Sequence, residues 1–380
     1  MSTFDVIVLG TGGIGSAALA MLARRGAKVL GLDQFPPAHD RGSSHGRTRI
    51  IRQAYFEHPD YVPLLLRSYE LWRELSERTG ERLFQETGFL QVGPADGVVV
   101  PGVLASAAEH GLSVERLAAN EITRRWPGFA VAESAVGVYE PRGGVLAVEA
   151  CVAAHLRDAQ AAGAALKTDE PVVEFQPTTS GIVVRTARQE YSTQRLIVTA
   201  GPWAGRWLGD LGTRLVVRRK PLFWFATNSN VYRAENGCPA FLYEMPEGVF
   251  YGFPEVDPGE IKMAEHSGGE PVDDPLAVDR EWRAEDQARL ESFIARALPD
   301  VSSTRTAHAV CMYTMSPDEH FIVDHHPRDE RICFAAGLSG HGFKFAPVLG
   351  EVLADLALAG QTKLPIAFLS CRRPALTSSR

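Results

Sequence analysis

Gly10, Gly12 and Gly15 stand in the stretch GTGGIG, and an acid, Asp33, follows them at roughly the 20-residue offset of a dinucleotide fingerprint. Each residue has a chemical reason to be there. Gly10 permits a tight turn, Gly12 lets a pyrophosphate approach the backbone, and Gly15 lets a helix pack closely on a strand. That helix opens at Gly13 and Ile14, and its N-terminal N–H groups and partial positive charge suit phosphate oxygens. Asp33 is placed to accept hydrogen bonds from ribose hydroxyls, and its charge disfavours a 2′-phosphorylated nucleotide. The stretch points to a bound dinucleotide, NAD or FAD, since both use it.

A second chemical candidate is Cys311, inside VCMYTMSPDEHFIVD (310–324), which alternates like a strand. It is either one more small apolar side chain or a bonded one. The cysteines Cys151, Cys238, Cys311, Cys333 and Cys371 are odd in number, scattered and free of CxxC spacing. Neither a disulfide framework nor a metal site is expected. A third candidate is HGRTRIIR, which sets Arg49 and Arg52 three apart. If the segment is helical they share one side of a turn. The spacing alone fits an anion site and a solvated face equally.

The elements that must position these residues are legible in part. FDVIVLG (4–10) and AKVLGLD (27–33) read as buried strands on either side of the glycine-opened helix. An NAD-binding unit would continue with another β-α-β after Asp33. Instead comes QFPPAHDRGSSHGRTRIIRQAYFEHPDYVP, a polar loop dense in His and Arg, which favours FAD. Helical spacing predicts helices over 59–79, 149–166 and 277–297, and 215–265 is strand-rich. A β-meander feeds a last parallel strand at 195–201, and 331–360 reads as a strand, a glycine turn and a long helix. The class expected is α/β with two domains: a Rossmann-like nucleotide domain from 1–82, 145–215 and 305–380, interleaved with a sheet-rich substrate domain from 83–144 and 216–304. A net charge of −7 argues against a nucleic-acid partner. No apolar run has membrane-spanning length, and the first 30 residues do not read as a signal peptide, so a cytoplasmic protein is expected.

With these segments in order, the chain resembles the monomeric sarcosine oxidase and N-methyl-tryptophan oxidase family. The resemblance rests on GSSHGRTRIIRQAY, RWPGF, VTAGPWA, YGFP, CMYTMSPDEHFIVD and GLSGHGFKFAPVLGEV, and covers essentially the whole chain. It implies a two-domain FAD oxidoreductase of the D-amino-acid-oxidase type. It further implies that Cys311 carries the flavin through an 8α thioether, which answers the question the cysteine raised. The implied reaction takes a hydride equivalent from the N-methyl carbon of a secondary amino acid. The imine hydrolyses to formaldehyde and the primary amino acid, and oxygen is reduced to hydrogen peroxide. A monomer with no macromolecular partner is implied.

Roles follow residue by residue from the same resemblance. Arg52 and Lys344 hold the substrate carboxylate, and Arg49 lies over the flavin region, where positive charge favours the reduced ring. His45, Ser43 and Thr48 belong to the loop that meets the flavin or its phosphates. Gly201 and the turn with Gly340, Gly342, Phe343 and Lys344 complete the cofactor contacts. Lys262 is the oxygen-activating lysine, and His266, Tyr313 and Phe250 line the substrate side. The chain departs from the family's S-H-H-G-D-T-R with Ser44 and Arg47. It also has Phe250 near where sarcosine enzymes favour Tyr, and KMAEHSGGE looks more like the N-methyl-tryptophan branch. Another secondary or cyclic amino acid, a dehydrogenase, or a flavin protein without turnover are the alternatives.

Overall fold

The strand Ser2–Leu9 runs between two parallel neighbours, Val29–Leu32 and Glu190–Val198. Parallel strands covered on both faces need apolar side chains throughout, and Val6, Ile7, Val8, Leu30, Leu196 and Ile197 supply them, all buried. This computed structural model describes residues 2–377. The helix Gly13–Arg24 packs against helices Val148–Ala161 and Ala346–Ala359. Small residues make the second contact close: a Cβ on Gly350 would lie 2.7 Å from the backbone of Ala17.

Glu190–Val198 serves two neighbours in turn. Its first half pairs antiparallel with Gly181–Thr186 and its last residues pair parallel with Asp329–Ala336. The last strand of the meander and the expected parallel strand at 195–201 are therefore one strand, and the chain leaves it at Val198 for the turn Gly201–Trp203. Together with Val172–Thr178, Ala165–Lys167 and Ile322–His326 these make an eight-stranded sheet.

A nine-stranded sheet holds most of the remaining strands, among them Phe89–Pro94, Ala135–Glu140, Val216–Thr227, Ala240–Met245, Gly248–Gly252 and Glu260–Glu265. The strand Val301–Met315 pairs along nearly all of Val216–Thr227. Cys311 thus sits on the nine-stranded sheet, whereas the sequence reading ended that unit at 304. A small sheet of Thr48–Ile51, Gly144–Ala147 and Phe84–Glu86 packs both ways, Ile51 and Leu146 into the core around the helix Gly13–Arg24 and Val145 into the core with Phe89, Leu222 and Leu242.

Three expectations need correction. Residues 48–51 form a strand, so Arg49 and Arg52 do not share a helical turn. The helix expected at 277–297 begins at Ala284, because the carbonyls of Asp279 and Glu281 accept hydrogen bonds from buried Arg219 and are lost to a helix. The helix expected to run to 166 stops at Ala161. Gly163 then turns the chain at φ +95°, and Ala165–Lys167 joins the sheet beside Val29–Leu32. No helix among the described residues is long and apolar enough to cross a membrane.

Candidate active site

A cavity of about 170 Å³ starts at the glycine turn. It runs past Asp33 and Trp203 to Met312–Thr314 and to Gly340 and Phe343. A second, of about 60 Å³, is lined by Arg52, Glu57, Tyr251, His266, His341 and Lys344, with Phe89 and Leu242. Arg49, Tyr313, Gly340 and Phe343 line both, so the two spaces meet there.

The larger cavity fits the expected dinucleotide. A Cβ on Gly15 would fall 1.8 Å from Gly10 O, and one on Gly10, at φ +88°, would fall 2.6 Å from Thr199 O, so the turn admits no side chain at either position. Asp33 is pinned by Thr11 N (2.7 Å), Thr11 Oγ1 (3.1 Å) and Phe35 N (3.0 Å). Ser44, a departure from the family pattern, accepts the Gly13 N–H at 3.1 Å. Trp203 Nε1 and Thr314 Oγ1 are buried without a hydrogen-bond partner, and both residues belong to this wall. Unpaired buried polar atoms are costly unless something else pairs them. Neither residue was anticipated, because orphaned atoms are visible only in three dimensions.

In the smaller cavity the structure brings Arg52 and Lys344 together. Arg52, 4% exposed, grips Glu57 through both carboxylate oxygens at 2.6 and 2.7 Å and lies 4.0 Å over the Tyr55 ring. Burial works against its charge, but Glu57, with Tyr55 and Glu140, outweighs it and raises the pKa. For Glu57 burial is likewise outweighed, chiefly by Arg52, and the carboxyl is brought down to about 2. Lys344 Nζ donates to His341 O at 2.8 Å. Burial, then the charge of Arg52, lowers its pKa to about 7. Glu57 and Glu140 were missed. Glu140 is buried, accepts the N–H groups of Gln53 (2.6 Å) and Ala54 (3.0 Å) beside Arg52, and is raised by burial to about 7.

Arg49 ties the junction to Cys311. Its guanidinium donates to Ser43 O and Thr48 O, each at 2.9 Å, and to Cys311 Sγ at 3.3 Å. Ser43, Gly201 and Gly342 lie in the wall of the larger cavity. His45 and Thr48 lie in neither wall. His45 is buried, and burial with the charges of Arg49, Arg280 and Lys262 holds it neutral, down to about 3. Thr48 instead accepts from Lys262 Nζ, at 2.9 Å on its carbonyl and 3.3 Å on its hydroxyl, and Gly46 O accepts at 2.5 Å. Lys262 is buried between the Trp224 and Phe253 rings. Arg47 turns outward, paired with Asp257 and Glu260.

His266 and Tyr313 line the small cavity with His266 Nδ1 3.3 Å from the Tyr313 hydroxyl. Phe250 does not reach it. Its ring stacks on Phe293 at 4.9 Å in the core, and Tyr251, its neighbour on the strand, lines the cavity instead. Neighbours on a strand face opposite sides, so the reading was off by one residue, and the hydroxyl it supposed lost is present on Tyr251.

The FAD dependent oxidoreductase family matches this chain over residues 5–356. The monomeric sarcosine oxidase of Streptomyces avermitilis is 43% identical across 98% of both chains. The N-methyl-L-tryptophan oxidase of Yersinia pestis (strain Pestoides F) is 38% identical over 97% of this chain and 99% of its own. Among solved structures, NikD, an unusual amino acid oxidase essential for nikkomycin biosynthesis, superposes with a TM-score of 0.86 at 28% identity. That match spans 97% of this chain and 98% of NikD.

Proposed function

The chain belongs to the FAD dependent oxidoreductase family, and on that premise we propose that it is an oxidase of N-methyl amino acids. The observation that carries this reading is the meeting of the two cavities. A glycine-lined space for a dinucleotide opens, at Arg49, Tyr313, Gly340 and Phe343, onto a small space furnished with Arg52 and Lys344. Arg52, braced by Glu57, and Lys344 bring two cations to one wall, which suits a carboxylate. Tyr251, His266 and Tyr313 face the amine end. Bound FAD would take the hydride equivalent from the N-methyl carbon and pass the electrons to oxygen as hydrogen peroxide. The residues orient the neutral amine and exclude water, and the imine then hydrolyses to formaldehyde and the primary amino acid.

Arg49 and the Gly340–Phe343 turn would bear on the flavin ring, Asp33 and Gly10–Gly15 on the nucleotide, and Cys311 on the ring through a thioether. The domain division of the sequence reading is supported by the two large sheets, with its last boundary moved to Met315. The chain acts as a single copy. Its five unpaired cysteines suit a cytoplasmic setting. Mixing the yellow protein anaerobically with a series of N-methyl amino acids, then admitting air, tests the reading. Bleaching followed by peroxide is expected, and a flavin that none of them bleaches refutes it.

Two further outcomes are expected here. Arg52→Ala weakens binding of N-methyl amino acids by ~2–3 kcal/mol, the worth of a charge-assisted pair, and leaves N-methylated amines without a carboxylate nearly unaffected. Equal losses for both would remove Arg52 from the carboxylate. Lys344, its pKa brought down to about 7 by burial and by the charge of Arg52, is an ammonium below that pH and neutral above it. Affinity for acetate, which has no amine to titrate, therefore weakens as pH rises through that value. In Lys344→Met the dependence flattens, as spectral titration at several pH values would register.

A further inference from the structure

We propose that Lys220 is a positioning residue that fixes His266 and Tyr313 from behind the wall of the small cavity. The inference rests on the reading of that cavity as the substrate site. Lys220 is 2% exposed and lines neither cavity. It lies on Val216–Thr227 directly opposite Cys311, and Tyr313 is two residues farther along the partner strand, on the same face.

Its ammonium makes three contacts with one loop. Nζ donates to His266 O at 3.1 Å and Ser267 O at 2.7 Å, and reaches Gly268 O at 3.5 Å. The same ammonium lies 5.0 Å from the centre of the Tyr313 ring. The loop is pressed onto the strand. A Cβ on Gly269, at φ +97°, would fall 2.7 Å from Arg219 O and 3.0 Å from Lys220 Cδ. Carbonyls turned into a protein interior need a donor, and this lysine supplies it to consecutive residues beginning with His266 itself. On its other side His266 N donates to Val249 O at 2.7 Å. The ring is thereby set so that Nδ1 meets the Tyr313 hydroxyl at 3.3 Å. One buried cation thus holds both members of the pair that faces the amine end, while Arg52 and Lys344 hold the carboxylate end without it.

Lys220→Met keeps the stem and removes the donors and the charge. In the flavin-loaded protein, anaerobic reduction by sarcosine should slow about tenfold or more, since misplacement at the reacting end lowers the rate out of proportion to the displacement. Acetate affinity, read from the flavin spectrum, should change less than about twofold, because contacts that share no partner act independently. In a Tyr313→Phe background Lys220→Met should add little further loss, because the pair it serves is already broken. Amide exchange at His266–Gly269 should quicken by about tenfold or more. Reduction at the parental rate, or the full loss repeated in the Tyr313→Phe background, overturns the proposal. If the parent is not bleached by any N-methyl amino acid, it is the substrate reading that fails. The exchange measurement then still decides Lys220, with unchanged protection counting against it. Should Lys220→Met not fold, Lys220→Gln, a shorter neutral donor, is measured in the same ways, and the same results support or overturn the role.

Discussion

Cys311→Ala releases the flavin. Acid precipitation of the parent should leave the yellow colour in the pellet, and the same treatment of the variant should leave it in the supernatant. The reason lies in what surrounds each thiol. Burial pushes Cys151 and Cys238 well above the ordinary thiol range and Cys333 and Cys371 up to about 12, so all four stay protonated and inert. Cys311 is as buried as Cys151, Cys238 and Cys333, at 1% exposed, but Arg49 donates to its sulfur at 3.3 Å. That contact holds the sulfur beside Arg49, a residue that lines both cavities. The next residues along the strand, Met312–Thr314, are already in the wall of the larger cavity. Alanine fits the strand and removes the nucleophile without disturbing Asp33 or the glycine turn, so the cofactor should still bind, exchangeably. Colour in the parental supernatant would show that Cys311 is only a buried thiol.

What could be read from the sequence divides along physical lines. The glycine turn and Asp33 were legible because their chemistry is local: a tight turn, a close approach and an acid at a set distance announce themselves within one β-α-β unit. Arg52 and Lys344 lie nearly the whole chain apart, and no spacing could join them; the family resemblance did. Phe250 and Tyr251 show how a one-residue error in strand register exchanges a core ring for a cavity wall. The helix at 277–297 had the right periodicity, yet buried Arg219 took the carbonyls it needed. Glu57, Glu140 and Lys220 were invisible for a common reason. A charged residue reads as surface until the fold shows which partner makes its burial tolerable.

Lys262→Met should separate the two half-reactions more sharply than any other change. Its ammonium is buried, with Gly46 O at 2.5 Å, Thr48 O at 2.9 Å and Thr48 Oγ1 at 3.3 Å as acceptors. It makes no contact with Arg52, Glu57 or the small cavity, so the carboxylate and amine contacts survive its loss. Anaerobic reduction by an N-methyl amino acid should change by less than about tenfold, as expected for a site outside the substrate's reach. Oxygen is different, because it acquires negative charge as it takes up the first electron, and a fixed cation in a dry site stabilises that charge far more than water would. Removing such a group costs on the order of a hundred- to a thousandfold or more in rate, and reoxidation should slow by at least that much. A second signature follows from burial, which with the charge of Arg49 lowers the lysine's pKa well below the usual value. The ammonium is therefore depleted as pH rises, so reoxidation in the parent should slow toward alkaline pH while the Met variant stays flat. Loss of stability alone cannot mimic this, since loosening would affect both half-reactions. Stopped-flow mixing with substrate, and then with oxygenated buffer, measures each separately. Reoxidation of Lys262→Met at the parental rate would reduce the lysine to a strut that holds the Gly46–Thr48 backbone.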